Sequence, residues 1–344
     1  MSAPGFRRAA ISMTRQLLDD IVRVDVPIGP LTTYRVGGAA ALHVVAADSA
    51  ALARVREAVV ATGVDVLIVG RGSNMLISDR GFEGLAVQLG SGFESIEIEE
   101  PDEAADGAPC TVGVGGAVLL PVAARQLSAA GIAGFEWAVG VPGSLGGAVR
   151  MNAGGHGSDI AASLINATII DLAGGRSATV TASDMGFGYR TSSVTSTEVV
   201  CAARLGLHRG NANASKAALA DIVGWRRDHQ PGGQNAGSVF ANPENAAAGR
   251  LVEAAGASGM RIGSAAVSPK HANFIQADPG GLASDVLATI HAVRAMVVDH
   301  GGVTLRTELK LVGFTLAELG DLASDHVADA APSGGREFEP DGTR

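Results

Sequence analysis

Between Val139 and Gly157 the chain reads VGVPGSLGGAVRMNAGGHG, seven glycines and a proline around Ser144, Asn152 and His156. With 47 glycines in 344 residues, a window of that length should hold about 2.6. Glycine has no Cβ and accepts positive φ, so main-chain N–H groups in such a run can approach a phosphate or a ring closely. A second glycine loop, Gly70-Arg71-Gly72-Ser73-Asn74, lies upstream. Two such loops in one chain point to a nucleotide cofactor.

Neither loop is of a familiar phosphate-binding type. The sixth position of G-x-G-x-x-G would be Met75, and the strand-like run MLIS stands where a helix should begin. Neither loop carries the G-K-[ST] of a P-loop, which argues against NTP hydrolysis. What remains is a two-loop cradle for a pyrophosphate.

Composition narrows the class of protein. A chain of 344 residues suggests two or three packing units. A net charge of −9 with 18% charged residues argues against a basic surface for nucleic acid. Cys110 and Cys201 lie in apolar runs, as reduced core thiols do, and their spacing fits no metal. The first 24 residues lack the apolar stretch of a secretory signal, and Arg125 interrupts the best long apolar run, Ala117 to Phe135. A soluble, cytoplasmic chain without a membrane partner is expected.

These loops need elements to hold them. LHVVAA (42–47) reads as a strand, followed by a helix capped by Asp48 or Ser49 with Leu52, Val55 and Val59 on its apolar face. VLIVG, MLIS and LAVQL read as short strands around the first glycine loop. IEIE and CTVGVG open a second unit near Phe93, with a helix over about 119–130. LINATIIDL, RSATV and EVVCAARLGL follow as strands, with Phe187-Gly188-Tyr189-Arg190 on a turn. The polar run HRGNANAS suggests a boundary near Gly210, with Ser215 capping the next helix. Helices near 247–255 and 282–300 and strands at 272–276 and 303–314 complete the pattern. From Gly320 the polar, Gly- and Pro-containing composition predicts a disordered tail.

Five segments together resemble the UDP-N-acetylenolpyruvoylglucosamine reductase family, in its compact type. They are GRGSNMLIS, VGVPGSLGGAVRMNAGGHG, FGYRTS (187–192), NAGSVFANP (235–243) and TELKLVGF (307–314), in the family's order. The resemblance spans about Pro30 to Phe314. It implies an α+β chain with the two-subdomain FAD fold also seen in vanillyl-alcohol oxidase and p-cresol methylhydroxylase, plus an α+β substrate domain. The division read from the sequence is an N-terminal arm (1–29), FAD-binding subdomains (30–92 and 93–210), a substrate domain (211–316) and a tail (317–344).

The resemblance also implies an activity and a site. Hydride would pass from NADPH through non-covalent FAD to the enolpyruvyl group of a UDP-sugar, giving UDP-N-acetylmuramate. Arg190 matches the cation that faces the substrate carboxylate, Ser238 the general acid, and Glu308 the acid that assists the charged intermediate. Tyr189 and Asn242 resemble substrate contacts. Gly70, Arg71, Gly72, Ser73, Asn74 and Met75, with Pro142, Gly143, Ser144, Gly147 and Asn152, should line the flavin. His156 and His271 read as local hydrogen-bonding residues, no metal is expected, and the chain is expected to be a monomer.

Two positions depart from the pattern. Ser258 stands where many relatives have lysine, leaving Arg261 or Lys270 as substitute cations, and Ser264 replaces a frequent glycine. The rival readings are a sugar or alcohol oxidase of the same fold, lacking the NAGSVF and TELKL constellation, and a nucleotide-sugar-binding relative without chemistry.

Overall fold

The computed structural model describes residues 4–99, 105 and 107–327. Its first unit comprises α1 (Pro4–Leu17), β1 (Val22–Pro27), β2 (Ala39–Ala46), α2 (Ser49–Thr62), β3 (Val66–Ile68), β4 (Met75–Ile77) and β5 (Phe82–Leu89). Four of these strands form a sheet in the order β1-β2-β5-β3. The expected N-terminal arm therefore belongs to the fold, since β1 adds antiparallel to β2 and α1 packs against α2. The Asp48 carboxylate caps α2 by accepting from Ala51 N–H at 2.8 Å, and Gly63 ends the helix at φ 63°.

The second unit begins with β6 (Ile96–Glu99), β7 (Pro109–Gly115), α3 (Leu120–Ala129), β8 (Ile132–Ala133) and α4 (Leu145–Arg150). It continues with β9 (Gly154–Gly155), β10 (Ser158–Asp159), β11 (Leu164–Asp171), β12 (Arg176–Thr181) and β13 (Glu198–Arg209). Its main sheet runs β12-β11-β13-β7-β6, all antiparallel, with β8 added to β13. Alternation in β7 turns Cys110, Val112 and Val114 inward against α3, as a sheet with one covered face requires. Cys110 and Cys201 are both buried.

The last part holds α5 (Ala212–His229), α6 (Ala248–Ala254), β14 (Arg261–Ile262), β15 (Ala265–Val267), β16 (Ile275–Ala277), α7 (Ala283–Gly301), β17 (Lys310–Val312), α8 (Leu316–Leu319) and α9 (Ser324–Val327). Asn211 rather than Ser215 caps α5, accepting from Asn213 and Ala214 N–H. Ser215 is buried and bonds Glu136 at 2.5 Å, while Leu219 and Ile222 pack on the core of the second unit. The helix after Gly210 thus leans back on the unit before it. The expected strand over 303–314 is confined to β17 and a bridge between Thr307 and Phe240.

A core that includes Phe240, Ile290, Leu305 and Leu309 also takes in Tyr34, Val36 and Leu76 from the first unit. β17 pairs in parallel with β4, directly after the first glycine loop. The composition of the segment after Gly320 also misleads, because Leu322 turns inward and is fully buried. The rest of the expected tail, 328–344, lies outside the described residues.

Candidate active site

Both glycine loops open onto one cavity of about 840 Å³. Gly70 to Met75, Pro142, Gly143, Ser144 and Gly147 all line it. The loops face each other so closely that a Cβ on Gly70 would lie 2.6 Å from the Ser144 hydroxyl, and one on Gly143 would lie 3.4 Å from that of Ser73. Gly72 has φ +57°, and a Cβ there would sit 2.6 Å from Thr32 Cα. Main chain therefore forms much of this wall, and at Gly70 and Gly72 a side chain would collide with the facing segment. The Ser144 hydroxyl, 5% exposed, makes no capping bond to α4. This backbone-lined cleft fits the pyrophosphate and ring system of a dinucleotide.

Asn152 does not line the cavity, although its type and place suggested a flavin contact. It adopts φ 39°, and its amide group donates to Gly188 O at 3.1 Å and accepts from Ala161 N–H at 3.0 Å. It braces the glycine segment against the FGYR turn. Asn74 serves both regions, because it lines the cavity while its side chain donates to Glu308 O at 2.9 Å.

Arg190, Ser238 and Glu308 meet on the wall of the same cavity. Arg190 sits on the Gly188–Thr191 turn at φ 56°, and Ser192 pins that turn by donating to Arg150 O at 2.7 Å. Ser238 follows Gly237, whose φ is 76°, and precedes the buried Val239 and Phe240. Asn273, buried and not foreseen, holds that segment: it accepts from Phe240 N–H and donates to Phe240 O, each at 2.9 Å. Glu308 N–H donates to Val239 O at 2.8 Å, which sets the glutamate beside the serine segment.

The Glu308 side chain is 9% exposed, and its Oε1 is buried with no hydrogen-bond partner. Its Oε2 lies 3.8 Å from Arg190 Nε, close enough to feel the charge without an aligned bond. Burial raises the Glu308 pKa, opposed by Arg190 and by a hydrogen bond from the Tyr189 hydroxyl. Tyr189 is 56% exposed and carries the Arg190 guanidinium 5.6 Å over its ring. Neither Tyr189 nor Asn242 is part of the cavity wall; Asn242 Oδ1 accepts from Ala248 N–H at 2.9 Å, at the start of α6.

Trp225 and Arg226 of α5, and Gln230 just after it, also line the cavity and went unread in the sequence. Trp225 stacks on His229 at 4.6 Å and meets the edge of His156 at 5.1 Å. Burial, then the Arg226 charge, lowers the His156 pKa. The segment WRRDHQP, just before NAGSVF, was the available signal. His271 is local, accepting from Asn273 N–H at 3.3 Å. Of the substitute cations, Arg261 pairs with Asp278 at 2.6 Å and Lys270 donates to Arg227 O at 2.5 Å, both away from the cavity. Ser264 Oγ bonds Asp285 at 2.7 Å near the start of α7.

Fold and site together define an FAD-binding α+β protein with an acidic and a hydroxylic group set beside the cofactor cleft. A family model described as an FAD binding domain matches residues 40–181, and one described as the C-terminal domain of UDP-N-acetylenolpyruvoylglucosamine reductase matches 229–312. The UDP-N-acetylenolpyruvoylglucosamine reductase of Halalkalibacterium halodurans is 38% identical over 296 residues, covering 85% of this chain and 94% of that protein. That of an Anaeromyxobacter species is 38% identical over 323 residues, covering 92% and 96%. The crystal structure of the Thermus caldophilus reductase superposes with a TM-score of 0.72 at 28% identity, covering 85% of this chain and 99% of that one. This chain belongs to the UDP-N-acetylenolpyruvoylglucosamine reductase family. Among the described residues no helix is long and apolar enough to cross a membrane, and no cluster of His, Cys, Asp or Glu could hold a metal.

Proposed function

We infer that this chain reduces UDP-N-acetylglucosamine enolpyruvate to UDP-N-acetylmuramate, a step of peptidoglycan precursor synthesis, with FAD as cofactor and NADPH as electron donor. The convergence of Arg190, Ser238 and Glu308 on a cavity also lined by both glycine loops carries this reading. Residues 30–92 and 93–210 form the two sides of the FAD site and 211–316 the substrate side, with α5 reaching back across.

Bound FAD supplies the two-electron relay from NADPH to the substrate. The residues must manage the charge that follows. Hydride at C3 of an enol ether leaves negative charge at C2, spread into the adjoining carboxylate. Arg190 offers that carboxylate a permanent, planar cation. Glu308, whose burial favours its protonated form, can share a proton with the developing charge instead of repelling it. Ser238 Oγ, fixed through its neighbours by Asn273, donates the proton to C2. Tyr189 acts from the rim through Glu308, and the substrate contact implied for Asn242 is made by its outer surface as the α6 loop meets the nucleotide.

Purified protein should be yellow, and its NADPH oxidation should accelerate when the enolpyruvyl sugar is added, with UDP-N-acetylmuramate as product. Protein that cannot be loaded with FAD, or that consumes oxygen with an alcohol while ignoring the enolpyruvyl sugar, would refute this reading.

A further inference from the structure

The Glu308 carboxylate has few side-chain partners, so its aim depends on how its backbone is held. Along Arg306–Glu308, Arg306 O accepts from Ala241 N–H at 2.9 Å and Glu308 N–H donates to Val239 O at 2.8 Å. In an extended segment the intervening N–H points the other way. That group, Thr307 N–H, donates to Asp325 Oδ2 at 3.0 Å. The same oxygen accepts from Arg294 Nη1 of α7 at 3.1 Å, and the two side chains are only 7% and 8% exposed. Asp321 approaches Arg294 Nε at 3.5 Å from a largely exposed position, without an aligned hydrogen bond. The turn after Gly320 thus delivers one buried carboxylate to the back of the segment whose front faces the cavity.

We propose that Asp325 is a positioning residue: paired with Arg294, it fixes the Thr307–Glu308 peptide and so aims Glu308 into the site. The proposal rests on the reductase reading given above. Replacing Asp325 removes the partner of both a buried guanidinium and a buried N–H. Glu308 then loses its register against Ser238, while the flavin cradle and the Arg190 turn keep their own supports. A catalytic group misplaced by about 1 Å costs on the order of a hundredfold in rate.

The test uses the FAD-loaded full chain with Asp325→Ala, and with Arg294→Met/Asp325→Leu as a second variant in which apolar side chains replace the buried pair, a change that commonly preserves folding. In each folded variant, flavin bleaching by NADPH should stay within about twofold of the parent. Recovery of flavin absorbance with saturating enolpyruvyl sugar should slow at least about tenfold, with the half-saturating sugar concentration unchanged. Amide exchange across residues 305–309 should quicken. Parent-like recovery, or equal loss of bleaching and recovery, would overturn the positioning role. Parent protein that bleaches but never recovers with the sugar would instead overturn the reductase reading, and exchange at 305–309 would then decide the latch alone.

Discussion

The cofactor cleft and the corner proposed to donate the proton are built on opposite plans. The cleft is made largely of main chain from two compact glycine runs, and side-chain bulk there is an obstruction. The corner is made of three side chains from three distant segments, each aimed by bonds that its neighbours make. Asn152 steadies the Arg190 turn, Asn273 steadies the Ser238 segment, and Asn74 holds Glu308 from the flavin side. Damage to the cleft should remove the cofactor, whereas damage to the corner should spare the cofactor and stop the chemistry.

The largest effect expected from this contrast is at Ser238. Ser238→Ala should lower product formation by roughly 10²–10⁴-fold while flavin bleaching by NADPH is nearly unchanged, measured by stopped-flow absorbance. Equal loss in both steps would erase the distinction between the two regions. Gly72→Val should act the other way. Its positive φ and the approach to Thr32 impose about 1–3 kcal/mol of strain, lowering FAD affinity roughly ten- to a hundredfold by titration of the FAD-free protein. Full flavin content in that variant would mean that the loop is not a tight backbone cradle.

The smallest effect concerns charge rather than rate. Because burial raises the folded-state pKa of Glu308, the folded protein holds this proton more tightly than the unfolded chain does. Ionised Glu308 therefore costs stability above its folded pKa, and the cost vanishes below the ordinary carboxylate pKa of about 4.3. Glu308→Gln should accordingly raise the thermal midpoint near neutral pH, with the gain fading as pH falls towards 4. A midpoint difference independent of pH would place Glu308 in a more polar setting than its burial indicates.

The same contrast explains what the sequence revealed. Glycine runs carry their meaning locally, and the periodicity of α2, β7 and β13 places apolar residues inward without reference to the rest of the chain. Asn152 misled because its type and place fit a ligand equally well as a brace; only the fold puts Gly188 within reach of its amide. Trp225 and Arg226 went unread because α5 is polar over much of its length, and its contact with His156 joins residues about seventy positions apart. The segment after Gly320 reads as solvent-exposed until Arg294 is placed beneath it.

The parallel pairing of β4 with β17 bears on how this protein could be divided. The two segments matched by family models look like portable cassettes, one for the cofactor and one for the substrate. Yet β4 lies within the first and finds its partner at the end of the second, and Tyr34, Val36 and Leu76 complete the second one's core. A reductase assembled by exchanging C-terminal cassettes between relatives would therefore inherit a mismatched seam at the point where the Glu308 segment is aligned, and would need residues 34–36 and 75–77 from the same donor.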